Sequence, residues 1–281
     1  MTTFPFIKGH GTENDFVLLP DPDGSVHPDL DPVTVRRLTN RYSGVGGDGV
    51  IRIVRTDAVP EGSGLVDDAD WFMDYRNADG SIAEMCGNGI RVMARYLWTT
   101  GAASGPILRI ATRGGTRTVH ADAEGTITVE MGRAKAASSR VQAFVRVGER
   151  QWSAVPVSVP NPHAVVFVDS LEDAGRLVDP PEVRPHSVFP EGANVEFVVP
   201  RDQRHIAMRV WERGVGETRS CGTGVCAAAW AAMRRDGVGR GATYQVDVTG
   251  GSLTVTERPD GELLLTGPAT LGVTGRIDVT S

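Results

Sequence analysis

The sequence predicts an α+β fold built from two similar domains, and three observations carry that prediction. Two glycine-rich turns, Met85-Cys86-Gly87-Asn88-Gly89 and Ser220-Cys221-Gly222-Thr223-Gly224, place cysteines 135 residues apart in a chain of 281. Each turn opens an apolar helical stretch. Almost everything else reads as short strands divided by glycine turns, in keeping with 34 glycines and 17 prolines. The expected architecture is two pseudo-symmetric domains, each a curled mixed sheet or barrel around a central helix.

The repeat extends beyond the cysteines. Gly101 and Gly237 follow the two helices at an offset of 136. Ala111-Thr112-Arg113-Gly114-Gly115 and Val248-Thr249-Gly250-Gly251 open similar hairpins, Val119 and Val255 stay in step, and Gly125 and Gly261 mark the next turns. This period is far too long for a solenoid. Two homologous domains related by a pseudo-twofold axis account for it, and such an axis would set the two helix mouths opposite each other.

Taken in order, the first helix is signalled by Asp31 as cap and Pro32 at its first position, with Val35, Leu38 and Tyr42 expected on one face. Ile90, Met93, Ala94 and Leu97 give the second helix an apolar stripe. The third, Val225 to Met233, is apolar all round, as for an enclosed helix, and ends in Arg234-Arg235-Asp236-Gly237. Strands are expected at Phe16 to Leu19, Val50 to Val54, Thr126 to Met131, Ala164 to Val168, Asn194 to Val199, Met208 to Arg213 and Gln245 to Val248. The domains are expected at 1–132 and 133–267, with patterning lapsing into Ala136-Ala137-Ser138-Ser139. The final segment, 268–281, has no counterpart after the first repeat and is expected to return to the N-terminal domain.

Composition narrows the function. The net charge of −6 argues against nonspecific nucleic-acid binding. No apolar run approaches the ~20 residues that span a bilayer, and the N-terminus lacks signal-peptide patterning. The cytoplasm is therefore the expected compartment. Three cysteines do not form a disulfide framework. No metal-ligand spacing and no phosphate-binding Gly-x-x-x-x-Gly-Lys loop occurs, so no metal is expected.

A cysteine at a helix start meets free backbone N–H groups and the positive end of the helix dipole, which favour an anion and the thiolate. One such cysteine suggests a nucleophile, and two suggest a pair of thiols facing each other across one bound anion, with the amides of Gly87-Asn88 and Gly222-Thr223 at the two helix mouths. The plain alternative for each is a buried inert thiol. Cys226, on the apolar helix, reads as packing.

The ordered set Asn14-Asp15-Phe16-Val17, Gly44-Val45-Gly46-Gly47-Asp48-Gly49, Asn77-Ala78-Asp79-Gly80-Ser81, Met85 to Gly89, Asn161-Pro162-His163, Glu212-Arg213-Gly214 and Ser220 to Gly224 closely resembles the diaminopimelate epimerase family. The resemblance runs from Lys8 to the C-terminal strand. It implies two pseudo-symmetric α+β domains, no cofactor, a homodimer, and LL-diaminopimelate epimerised to the meso isomer in bacterial lysine and peptidoglycan precursor synthesis. It makes Cys86 the base on the LL isomer and Cys221 the proton donor, with His163 and Glu212 tuning the thiols. Asn14 falls near the reacting centre. Arg213, Asn77, Asn161 and Asn194 supply polar contacts to the substrate, Arg213 as a carboxylate clamp. Some family members carry glutamine where this chain has Gly49, so that side-chain contact is missing.

Blander readings stand beside these. His163 can be a strand-end histidine, Glu212 a surface partner of Arg213, and each asparagine, Asn77 above all, a turn residue. Asp48 reads as holding its glycine turn. A proline racemase-like enzyme would share the fold and thiol pair, although Asn88 and the Arg213 and asparagine set argue against it. A redox switch joining Cys86 to Cys221 is a further class.

Overall fold

Phe16-Val17-Leu18-Leu19 and Val50-Ile51 are continuous apolar runs, and the structure shows why: their strands are covered on both faces. This structure is a computed structural model that describes residues 2–27, 30–122, 124–136 and 141–279. The chain forms two units, Met1–Val129 with Pro268–Ser281, and Glu130–Gly267. Of the expected boundary stretch, Ala137, Ser138 and Ser139 lie outside the described residues.

In chain order the elements are β1 (Thr2–Gly11), β2 (Asn14–Pro20), α1 (Pro32–Thr39), β3 (Gly49–Arg55), β4 (Trp71–Asn77), α2 (Gly87–Thr99), β5 (Ile107–Ala111), β6 (Arg117–Ala121) and β7 (Ile127–Arg133). There follow β8 (Lys135–Ala136), β9 (Ala143–Val147), β10 (Arg150–Val159), β11 (Asn161–Phe167), β12 (Glu182–Arg184), β13 (Asn194–Asp202), β14 (His205–Glu212) and β15 (Gly216–Thr218). The last are α3 (Gly222–Arg235), β16 (Thr243–Val248), β17 (Gly251–Glu257), β18 (Glu262–Gly267) and β19 (Thr270–Val279).

In the first unit β1 and β2 form a hairpin, β2 runs parallel to β3, β3 antiparallel to β4, β4 parallel to β5, and β5, β6 and β7 continue antiparallel. The second unit repeats this sequence of pairings with β10, β11, β13, β14, β16, β17 and β18. In each, the parallel step after the fourth strand is made by a helix, α2 or α3. The last strand, β19, lies antiparallel along β1 from Thr2↔Val279 to His10↔Thr270.

Helix α2 packs on β1, β2, β3 and β19, and buries Ile90, Met93, Ala94 and Leu97 completely. On the other face of β2 and β3, Val17, Leu19 and Val50 meet Val35 and Leu38 of α1. Helix α3 touches β10, β11, β13, β14, β16, β17 and β18, which explains why its sequence is apolar all round. The opposite face of β11 and β13 rests on a separate core that includes Val166, Phe189, Val195 and Phe197.

The ends of α1 and α3 follow from local chemistry. Asp31 caps α1 by accepting from the amides of Val33 and Thr34 at 2.7 and 3.1 Å. Tyr42 is a correction: it lies beyond this helix and is fully exposed. Asn40 ends the helix, because its Oδ1 accepts from the amides of Tyr42 and Ser43 and turns the chain. Helix α3 ends at Asp236, after which Gly237 takes a φ of +64° and donates to the Arg234 carbonyl. No helix among the described residues is long and apolar enough to cross a membrane.

Candidate active site

Both cysteines are the N-cap residues of their helices, in nearly the same extended conformation. Cys86 has φ −134° and ψ 119°, and Cys221 has φ −129° and ψ 113°. Each is followed by Gly-x-Gly, and the first main-chain bonds of α2 and α3 run from Ile90 N–H to the Cys86 carbonyl and from Val225 N–H to the Cys221 carbonyl, so the amides of Gly87 and Asn88 and of Gly222 and Thr223 stand at the helix starts. The two surroundings differ, and each is described within its own unit.

Around Cys86 the neighbours are amides. Its Sγ accepts from the Gly89 N–H at 3.4 Å and donates to Asn14 Oδ1 at 3.8 Å. Asn14 Oδ1 also accepts from Asn88 Nδ2 at 3.1 Å. Asn88 is held from behind by Arg91, a wholly buried guanidinium that donates to Asn88 Oδ1 and the Gly87 carbonyl. Asn14 is itself oriented by Asp48, whose Oδ2 accepts from Asn14 Nδ2 at 2.7 Å and from the Asp15 amide. Arg41 bridges Asp48 to Asp15, and Lys8 also pairs with Asp15 at 2.6 Å. Burial opposes ionisation of Asp15, but the hydrogen bonds from Arg41 and Lys8 outweigh it and hold this carboxyl well below the usual range. Burial and the Asp15 charge push Asp48 up. Asp48, read from sequence as a turn residue, is therefore the group that aims Asn14.

Around Cys221 the neighbours are carboxylates. Cys221 is 6 % exposed, with Thr223 Oγ1 at 3.5 Å from its Sγ. Burial pushes its thiol up, the charges of Glu212 and Glu196 push it further, and the Thr223 hydrogen bond offsets part of this. Glu212 Oε1 accepts from Thr218 Oγ1. His163 is wholly buried, with Nδ1 at 2.6 Å from Glu196 Oε1 and Nε2 at 2.9 Å from Asn161 Oδ1. Burial also pushes the Glu196 carboxyl up, against the pull of His163. The structure thus gathers Glu212, Thr223 and Glu196 around Cys221, and Glu196 in turn ties in His163 and Asn161.

A family model of diaminopimelate epimerase matches residues 6–137 and 155–272. The diaminopimelate epimerase of Streptomyces coelicolor is 55 % identical to this chain over 282 positions, which cover 99 % of the chain and 96 % of that relative. This chain belongs to the diaminopimelate epimerase family. The enzyme of the same name from Thermobifida fusca is 44 % identical over 98 % of each chain. Among solved structures, a phenazine biosynthesis protein of the PhzF family from Bacillus anthracis superposes with a TM-score of 0.69 at 17 % identity, covering 99 % of this chain and 100 % of that one. A hydroxyproline epimerase from Agrobacterium vitis gives 0.68 at 13 % identity, covering 98 % and 92 %. At such identities the likeness is one of fold: an α+β chain of two sheet-and-helix domains.

The remaining residues that the family resemblance assigns to substrate fall as follows. Asn194, 6 % exposed, accepts from the Arg213 amide at 2.9 Å and stands beside His163 in the parallel register. The Arg213 guanidinium donates to the Glu191 carbonyl at 3.0 Å and lies 3.5 Å from the Glu191 carboxylate. Asn77 ends β4 in a turn, donating to Ser81 Oγ at 3.0 Å, and pairs across the ladder with Gly49. A Cβ at Gly49 would lie 2.6 Å from the Arg76 carbonyl oxygen and 2.6 Å from a Tyr75 ring carbon. The glutamine of other family members has no room here without a shift of β4. Cys226 is wholly buried within α3.

The residue that sequence reasoning missed is Glu196. Its one signal is a carboxylate inside the run Asn194-Val195-Glu196-Phe197-Val198-Val199, all of it buried. A buried carboxylate needs a partner, and His163 is 33 residues away in sequence.

Proposed function

We propose that this chain epimerises LL-2,6-diaminopimelate to the meso isomer without a cofactor, using Cys86 and Cys221 as its acid/base pair. The observation that carries this reading is the matched placement of the two thiols: one N-cap cysteine per unit, each at the mouth of a buried helix, in chains of the same topology. Cys86, half-buried among amide groups, removes the α-proton of the LL isomer as thiolate. Cys221, held as the thiol by burial and two carboxylates, delivers a proton to the other face of the carbanion. The proton count balances: one thiolate becomes a thiol, the other thiol a thiolate, and the meso isomer is processed by the reverse roles.

The carbanion needs charge stabilisation at its carboxylate. The helix-start amides of Gly87, Asn88, Gly222 and Thr223 supply it, because N–H groups at a helix start bind anions and cost no reorganisation. His163 and Glu212 tune the thiols. Asn14 orders the reacting end, while Asn77, Asn161, Asn194 and Arg213 select the distal amino acid. Asn194 is the buried member of this set, and leaving a buried polar group unmatched is costly, so this contact discriminates against a monoamino acid. The family resemblance makes it a homodimeric enzyme of the bacterial cytoplasm serving lysine and peptidoglycan precursor synthesis.

The test is proton NMR of LL-diaminopimelate in D₂O with reduced protein. Loss of one α-proton signal with appearance of the meso isomer is the expected result. Folded, reduced protein that exchanges no α-proton of diaminopimelate, or that exchanges proline instead, overturns the reading.

A further inference from the structure

Strand β13 carries a carboxylate where its counterpart in the other unit carries a hydrocarbon. In the first unit Phe16 of β2 pairs with Gly49 of β3, and Ile51 stands two residues on. In the second, His163 of β11 pairs with Asn194 of β13, and Glu196 stands two residues on. Ile51 and Glu196 meet the same place on their helices. A Cβ on Gly89 would lie 2.9 Å from Ile51 Cδ1, and a Cβ on Gly224 would lie 2.8 Å from Glu196 Oε1. Glycine at the third position of α3 therefore makes room for a carboxylate that has no exposure at all. One of its oxygens takes His163 Nδ1, while Oε2 is buried without a hydrogen-bond partner among the described residues.

A packing role alone would be better served by the hydrocarbon that the other unit uses, because an ionisable group inside a core is unfavourable unless it is fully paired. A carboxylate on one imidazole nitrogen fixes that nitrogen as the N–H and sets the ring's orientation. We propose that Glu196 is a positioning residue for the Cys221 half of the site, fixing His163 Nδ1 as a donor so that Nε2 is the nitrogen presented beside Asn161. This rests on the reading of Cys221 as an acid/base group.

The groups that act on Cys221 include Glu212 from β14, Glu196 from β13, and Thr223 and the Gly224 amide from α3, with His163 of β11 reaching Glu196. Both carboxylates oppose the thiolate. Removing the charge of Glu196 therefore makes Cys221 easier to ionise, while loss of the fixed imidazole makes the half-site a poorer catalyst. A loosened fold would also speed alkylation and slow turnover, but at both thiols, so selective acceleration at Cys221 is the readout that tells the two apart.

The experiment compares the full chain with its Glu196→Gln and Glu196→Asp variants under reductant. Alkylation by iodoacetamide is followed at each cysteine by mass spectrometry at pH 7, with Cys86 as internal reference. In Glu196→Gln, Cys221 is expected to react at least about threefold faster relative to Cys86, while kcat falls about tenfold with KM changed less than about threefold. Glu196→Asp, which keeps the carboxylate, recovers part of kcat. Unchanged kcat with an unchanged alkylation ratio overturns the proposal, as does equal acceleration at both thiols, which reports a loosened fold. Should Glu196→Gln not fold, nitrogen-edited NMR of the unaltered protein decides the matter: a proton resolved on His163 Nδ1 supports the assignment, and its absence overturns it. Failure of the underlying reading is separable: Cys221→Ser that still epimerises removes Cys221 from catalysis, whereas the alkylation ratio is read in the Glu196 variants, which keep both thiols.

Discussion

The two cysteine turns share backbone geometry yet are supported in opposite ways. At Cys86 the supporting carboxylates, Asp48 and Asp15, stand one residue back, with Asn14 between Asp48 and the thiol. At Cys221 two carboxylates act on the thiol directly. The helix start is the shared part, and it lowers the cost of negative charge at either mouth. The strands opposite are the divergent part: at Cys221 they bring carboxylates that oppose the thiolate, and at Cys86 they bring the Asn14 amide. The repeat supplies two thiols at matching helix starts; the divergent strand residues give them different surroundings.

The largest test of this comparison removes the thiols. Cys86→Ala and Cys221→Ala are each expected to lower kcat by about 10³-fold or more in both directions, the scale of losing an essential acid or base. Cys226→Ala, a truncation inside α3, is expected to keep full turnover at a stability cost of about 1 kcal/mol. Steady-state kinetics and urea unfolding of the three variants check this. Comparable activity loss in all three would dissolve the distinction between mouth and core.

A smaller effect comes from the helix-start glycines. Gly224→Ala forces a methyl group toward Glu196 Oε1, which His163 holds in place. It is expected to destabilise by about 1–3 kcal/mol, as overpacking does. Gly89→Ala presses on the ends of Ile51 and Met73, which can yield. Its cost is offset by a gain of up to about 1 kcal/mol in helix propensity. Urea midpoints that shift equally would show that the carboxylate is no more firmly held than the hydrocarbons.

The smallest effect is electrostatic. Arg41→Met is expected to lower stability at pH 7 by about 1 kcal/mol, a figure kept low because exposed pairs are screened and Arg41 is 54 % exposed. The Asp15 carboxyl is depressed in the folded state. Its contribution is thus complete above the unfolded Asp value of about 3.9 and disappears as the pH falls through the lower folded value. The gap between variant and unaltered protein should begin to narrow below about pH 4 and close only as the pH approaches the lower folded value. A gap that persists into acid would assign the loss to packing of the Arg41 side chain.

Much of the fold was legible because its signals are local. The cap at Asp31, the stripe from Ile90 to Leu97 and the glycine turns each act within a few residues. The repeated thiol turns were legible for the same reason, with the second copy confirming the first. What was hidden depends on register. Nothing within reach of Glu196 in sequence announces His163, because the parallel pairing of β11 with β13 brings them together. Asp48 was read as a turn residue because its bond to Asn14 spans the β2–β3 crossover. Tyr42 kept the helical spacing of α1, but Asn40 turned the chain before that spacing could matter.

The pairing of β19 with β1 bears on the order in which the protein is made. Residues 2–10 cannot acquire this neighbour until residues 270–279 have been synthesised, and all of the unit Glu130–Gly267 is translated in between. The unit that begins first is thus completed last. Until then β1 waits with an open edge, a segment for chaperones to guard and for neighbouring nascent chains to capture.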